Sequence, residues 1–208
     1  MADMSIYKDI AERTGGDIYI GVVGPVRTGK STLIKRFISD LAIPNIQGEF
    51  MKDRARDEMP QSASGKTVMT TEPKFVPDES VKIRVGGDTE LNVRMIDCVG
   101  YMVDGALGGE EDGAMRMVKT PWAEEEMPFS RAAEIGTGKV IGEHSTIGML
   151  VTTDGTVCGI PRENYIPAEE RVAAELKALG KPFAIILNSA TPEAESAHAL
   201  AAQLEEKY

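Results

Sequence analysis

The chain has 208 residues and a formal net charge of −10, enough length for one large domain or two small ones with a sizeable core. The acidic balance argues against a general nucleic-acid- or membrane-binding surface, and no stretch reads as a secretory leader or approaches the roughly 20 apolar residues of a membrane span. Cys98 and Cys158 lack metal-ligand spacing and imply no disulfide framework, so buried thiols in a reducing cytosol are expected, and His144 and His198 read as surface or satisfied residues rather than ligands.

In chain order, Ile6 to Arg13 reads as a short leading helix closed by Gly15-Gly16, an arm of residues 1–16 ahead of one domain at 17–208. Asp17 to Val23 is an apolar, β-branched run and predicts a strand. It leads into Gly24-Pro25-Val26-Arg27-Thr28-Gly29-Lys30-Ser31, which fits the phosphate-loop pattern G-x-x-x-x-G-K-[ST] at every specified position. Ser31 to Leu41 then predicts a helix, with Leu33, Ile34, Phe37, Ile38 and Leu41 forming an apolar face. Strand, loop and helix are the context this motif requires. Consecutive backbone N–H groups curl around phosphate oxygens, the helix start adds its positive end, Lys30 reaches the β- and γ-phosphates, and the Ser31 hydroxyl ligates Mg²⁺. The candidate nucleotide contacts are therefore Gly24 through Ser31, with Thr32 beside them.

Pro44 to Lys66 is a long charged connection with weak periodicity, of the kind that is functional, mobile or simply a solvated insertion. Thr70 and Thr71 close it. Val81 to Val85 and Leu91 to Ile96 flank Gly86-Gly87-Asp88, a hairpin signal. An antiparallel hairpin after the first helix is the arrangement of Ras-like G domains. The expected fold is thus α/β, a P-loop NTPase of the Ras-like (TRAFAC GTPase) type, with a mixed, mostly parallel sheet, one antiparallel edge strand and helices on both faces. Asp97-Cys98-Val99-Gly100 fits D-x-x-G at the end of the second hairpin strand. There the Asp97 carboxylate holds Mg²⁺, through water, and the Gly100 N–H meets the γ-phosphate. Thr70 and Thr71 stand where such a domain carries the threonine that senses γ-phosphate and metal together, which makes Thr71 a candidate metal ligand with Ser31 and Asp97.

Tyr101 to Pro128, rich in Gly, Met and acids, reads as a mobile segment. Its Met102, Met115, Met117 and Met127 are expected mainly in the core, and Trp122 as an anchor. Ser130 to Ile141 predicts a helix weakened by Gly136 and Gly138, Thr146 to Thr152 a buried strand, Pro167 to Leu179 a helix, Phe183 to Leu187 a strand, and Glu193 to Lys207 an amphipathic helix. A Ras-like domain has one more strand and helix, so the expectation is a domain truncated before them or a five-stranded variant.

Two departures from a GTPase matter. The base-reading N-K-x-D position reads Asn188-Ser189-Ala190-Thr191. Without the Asp that accepts from guanine and the Lys that stacks along it, guanine preference is lost and ATP becomes the expected nucleotide. Tyr101 occupies the position where Ras-like enzymes place a water-orienting Gln, so turnover uses another group, is slow, or depends on assembly.

On the phosphate loop, the Thr70-Thr71 pair, Asp97 to Tyr101 and the degenerate Asn188-Ser189 site, the chain resembles the N-terminal ATPase domain of stage IV sporulation protein A from endospore-forming Firmicutes. The resemblance implies a GTPase-derived fold that hydrolyses ATP. It assigns Lys30 to nucleotide binding, Asp97 to Mg²⁺ and hydrolysis, and Thr70 and Thr71 to γ-phosphate sensing. It further implies self-assembly of the protein into a polymer, the base layer of the spore coat, in the mother-cell cytoplasm on the surface of the developing forespore. Docking to the peripheral forespore membrane surface through stage V sporulation protein M, and contacts with other coat proteins, are implied for regions outside residues 1–208. No nucleic-acid partner is expected. The competing readings are a GTP-dependent switch, an ATP-binding scaffold without turnover, and a small-molecule kinase, for which no second substrate pocket is legible. Arg54 and Arg56 are candidates to reach a neighbour's phosphates.

Overall fold

The computed structural model describes residues 15–60, 73–85, 89–111 and 113–208. The leading helix and the Gly86-Gly87-Asp88 turn therefore lie outside the described residues. Strand β1, Asp17–Val23, is the middle of a five-stranded sheet. It is flanked by β3, Thr89–Asp97, and β4, Ile147–Thr153, both parallel to it. Beyond β3 lies β2, Lys74–Val85, the antiparallel edge, and beyond β4 lies β5, Phe183–Asn188, parallel. The order is β2-β3-β1-β4-β5, so the mostly parallel sheet with one antiparallel edge strand is as expected.

Alternation along β1 divides the core. Ile18, Ile20 and Val22 face one side with Ile34, Ile38, Val93 and Met95, whereas Val23 faces the other with Ile96, Phe129, Leu150, Tyr165 and Leu176. Helix α1, Lys30–Phe37, covers the first side. Helices α3, Phe129–Lys139, and α4, Arg162–Ala178, cover the second, and α5, Glu195–Lys207, follows β5.

Several boundaries differ from expectation for identifiable reasons. After Phe37 the helix widens into a π-turn at Ile38–Ala42, closed by Ile43 N–H donating to Ile38 O. The extra residue shifts the helical phase, so Ala42 is buried and Leu41 turns out to solvent. A nine-residue helix, α2 (Glu49–Asp57), occupies the charged connection. Its Arg54 bonds Glu58, Asp78 and Glu79, and Arg56 pairs with Asp53, so these arginines clamp α2 to β2 and to itself. Strand β2 starts at Lys74, before its expected Val81, because register shifts between Val76 and Val81 let Pro77 and the charged Asp78-Glu79 bulge from an edge that tolerates them. Helix α4 begins at Arg162, not Pro167. Buried Tyr165 and the Arg162–Glu169 ion pair fix its first turn, which outweighs the one bond Pro167 cannot donate.

The segment expected to be mobile holds two short ribbons, Glu110–Glu111 with Ala114–Met115 and Met117–Val118 with Met127–Pro128. Met102 packs on the core, but Met115 and Met117 are exposed, which corrects the expectation of a buried methionine set. They lie on opposite sides of Arg116, whose guanidinium covers the Phe129 ring, so the inward position goes to the arginine stem. Cys98 is buried and Cys158 half-buried, both as free thiols.

Candidate nucleotide site

The C-terminal ends of β1, β3, β4 and β5 meet at one edge of the sheet, the usual place for a ligand in a doubly wound fold. β1 ends at Val23 and the chain turns through Gly24. Arg27 takes a left-handed φ of 64°, and Gly29, at φ 94°, stands at the N-terminus of α1. The Thr28 hydroxyl, fully buried, donates to Pro25 O at 3.0 Å. Lys30 Nζ crosses the loop to the same oxygen at 2.6 Å and to Gly24 O at 3.4 Å. Burial lowers the Lys30 pKa, against the pull of Cys98 and Asp97. The motif residues thus form a closed turn with the lysine laid across its mouth.

Parallel register places Asp97 beside Val22, two residues before the loop. Ser31 donates its hydroxyl to Asp97 Oδ2 at 3.0 Å. Asp97 Oδ1 is buried and meets no hydrogen-bond donor among the described residues. Burial pushes the Asp97 carboxyl up from its ordinary value, against the Lys30 ammonium and the Ser31 hydroxyl. A half-buried carboxylate with one buried, bare oxygen, touching the serine that the motif reserves for metal, fits a hard divalent cation. One or two protein groups plus phosphate oxygens and water would hold such a cation, the habit of Mg²⁺.

Gly100 lies directly over this arrangement at φ 93°. A Cβ there would collide with Gly24 O and stand 2.6 Å from Lys30 Nζ, so only glycine permits the approach. Tyr101 follows it, and its backbone pairs with the loop: Tyr101 N–H donates to Gly24 O at 3.3 Å, and Val26 N–H donates to Tyr101 O at 2.9 Å. Its side chain turns away from the loop into the core, where the hydroxyl meets Glu175.

On the other flank, Asn188 Nδ2 donates to Thr28 O at 3.0 Å, and its amide packs where a Cβ on Gly29 would sit. Asn188 therefore braces the loop. The turns after β4 and β5 are joined by Asp154 N–H to Asn188 O at 3.3 Å and by Ala190 N–H to the Thr156 hydroxyl at 2.9 Å. Slight burial raises the Asp154 pKa, but hydroxyls of Ser189 and Thr156 outweigh it and hold the carboxyl below its usual value.

The fold thus brings Gly24 to Thr32, Asp97, Gly100 and Asn188 to one edge. Thr70 and Thr71 lie outside the described residues. Two partners had no signal in the motifs: Glu175, 74 residues from the Tyr101 it binds, and Asp154, whose Asp-Gly pair reads only as a turn.

A family model described as "Stage IV sporulation protein A, ATPase domain" matches residues 1–208. The chain belongs to that family. It is 61% identical over 204 residues to stage IV sporulation protein A of Clostridioides difficile (strain 630), covering 98% of this chain and 42% of that protein. It is 58% identical over 208 residues to the protein of the same name from Bacillus anthracis and 57% identical to that from Bacillus subtilis (strain 168), each covering 100% of this chain and 42% of the relative. The chain therefore spans about two-fifths of the length of the curated relatives it matches. Membership places it among sporulation-related ATPase domains with a P-loop fold. Among the described residues, no helix is long and apolar enough to cross a membrane.

Proposed function

We propose that the domain is a Mg²⁺-dependent ATPase of Ras-like type. The observation that carries the reading is the meeting of Lys30, Ser31 and Asp97 at the closed turn, with one buried oxygen of the carboxylate left bare. The strand order β2-β3-β1-β4-β5, with only β2 antiparallel, supports the Ras-like assignment. Lys30 and the loop amides bind the β- and γ-phosphates, and the Gly100 amide contacts the γ-phosphate. Mg²⁺, held by Ser31 and through water by Asp97, would neutralise charge building on the phosphate oxygens during cleavage. Thr71, with Thr70, completes the sensing of the γ-phosphate.

ATP is favoured over GTP because Ser189 and Thr191 offer neither the lysine stem nor the carboxylate that guanine recognition needs. At the level of the whole protein, hydrolysis drives a conformational change and self-assembly into the base layer of the spore coat. The site of action is the mother-cell cytoplasm at the forespore surface, with stage V sporulation protein M and other coat proteins as partners through regions outside residues 1–208. Residues 17–208 form the NTPase domain. The test is phosphate release from ATP and from GTP by the full-length protein, with Lys30→Ala and Asp97→Ala beside it. ATP turnover abolished in both variants is expected. Equal release by wild type and Asp97→Ala would remove the metal assignment, and binding without release would favour a scaffold.

A further inference from the structure

The segment after D-x-x-G is held at both ends of one residue. The backbone of Tyr101 is paired to the phosphate loop on both sides of Pro25. Its ring is 3% exposed and lies under the Arg171 guanidinium at 4.1 Å. Its hydroxyl donates to the two Glu175 carboxylate oxygens at 2.6 and 2.9 Å. Arg171 in turn bonds Glu175 at 3.1 Å and Glu134 on α3 at 3.2 Å. One residue upstream, Gly100 lies so close to the loop that a Cβ added to it would meet Gly24 O and Lys30 Nζ.

A glutamine at position 101 would present a polar tip to water. The tyrosine's polar tip is fully engaged by Glu175 and points away from the loop, so any effect on chemistry passes through its backbone. Burial and Glu175 also push the phenol well above its ordinary pKa, so it remains a donor.

We propose that Tyr101 is a positioning residue: anchored on α4 by Glu175 and Arg171, it holds the Gly100 amide at the phosphate loop and so sets the preference for a nucleoside triphosphate over a diphosphate. This rests on the reading of Gly100 as a γ-phosphate contact. The anchor has an accessible end, because the Arg171 side chain is 46% exposed and that of Glu175 32%. The γ-phosphate contact is therefore adjustable from the α3–α4 surface.

The experiment compares full-length wild type, Tyr101→Phe and Glu175→Gln. It measures affinity for a non-hydrolysable ATP analogue and for ADP, with Mg²⁺, and hydrogen exchange of the Val26 and Tyr101 amides. The phenylalanine keeps the ring in the core and removes only the hydroxyl. Loss of a charge-assisted hydrogen bond predicts an analogue affinity about 5- to 10-fold lower. ADP affinity stays within about 2-fold, and exchange of the two amides accelerates by about 10-fold. Glu175→Gln shifts the same readouts in the same direction. An unchanged triphosphate preference overturns the proposal, as does an equal loss of both nucleotides, which is what mere structural damage gives. If the wild type binds neither nucleotide, the site reading itself fails. The exchange rates then decide alone: unchanged Val26 and Tyr101 amides mean the side chain does not hold the loop.

Discussion

Ser31 and Asp97, 66 residues apart, share a hydrogen bond of 3.0 Å that joins the first turn of α1 to the last residue of β3. The bond uses one carboxylate oxygen and leaves the other buried without a donor among the described residues. The proposed metal role and stability therefore oppose each other at this residue.

That opposition is measurable in Asp97→Asn. The folded-state pKa of Asp97 is raised, so the native chain holds its proton more tightly than the unfolded chain does. Its contribution to stability is present below the ordinary carboxylate pKa of 3.8 and is lost as pH rises through the raised folded value. At neutral pH the ionised carboxylate is a burden on the nucleotide-free fold. Asp97→Asn is expected to raise the melting temperature without nucleotide by roughly 2–4 °C, the shift that about 1 kcal/mol gives in a domain this size. The same variant should lose the further stabilisation that Mg²⁺ and ATP give the wild type. Calorimetry with and without the pair checks both halves.

The Asn188 amide braces Thr28 O rather than standing free to read a base. Asn188→Ala should therefore weaken ATP and GTP alike, by about 5-fold, the cost of about 1 kcal/mol of hydrogen bonding. Restoring the missing groups with Ser189→Lys and Thr191→Asp should instead move the ATP-to-GTP affinity ratio by about 10-fold or more toward GTP. Competition binding separates the two effects. An unmoved ratio in the double variant would mean the base does not lie at this turn.

Glu169 is fully buried and depends on Arg162, with which it shares a 2.7 Å ion pair, and on the Thr152 and Tyr208 hydroxyls. Arg162→Met strands that charge and should cost roughly 3–5 kcal/mol in denaturant unfolding. Arg162→Met with Glu169→Leu should recover most of the loss. Failure of the pair to recover would show that the network is needed for packing rather than for charge balance.

Cys98 is buried, and its thiol pKa is pushed up to about 11 by burial, against the Lys30 ammonium. The half-buried Cys158 should react with an aromatic disulfide reagent ahead of Cys98, whose burial both shields the sulfur and disfavours its reactive thiolate. Between pH 9.0 and about 11 the folded chain binds more protons than the unfolded one at Cys98, so the thiol's stabilising contribution declines over that window. Peptide mapping after timed labelling checks the order of reaction.

The elements legible in the sequence are those whose physics is local. β1 and the phosphate loop are specified by neighbours within ten residues, and the hydrophobic alternation of β3 carries Asp97 to its end. What escaped depends on distant residues. The Lys74–Met95 side of the hairpin is hidden by Pro77 and a charged bulge that only an edge strand accepts. The early start of α4 is set by Glu169 and the core around Tyr165. At the site, the Gly24, Lys30 and Asp97 roles are motif-bound. The bracing by Asn188 and the anchoring of Tyr101 by Glu175 are contacts across 160 and 74 residues, and no spacing rule encodes them.

The pairing of Val22 with Asp97 also fixes where this chain tolerates a change of length. Side chains on a strand alternate between faces, so one residue inserted within β3 would turn the carboxylate to the opposite layer while every strand still paired. Such a variant would lose the proposed metal ligand and also stability, because any of the buried Leu91, Val93 and Met95 that move with the insertion change layers too. The β2–β3 connection joins the strands at the sheet end remote from the loop, where Val85 pairs with Thr89. Insertions there leave the Val22–Asp97 pairing untouched, so that end, not the strand itself, is where a tag or a probe belongs.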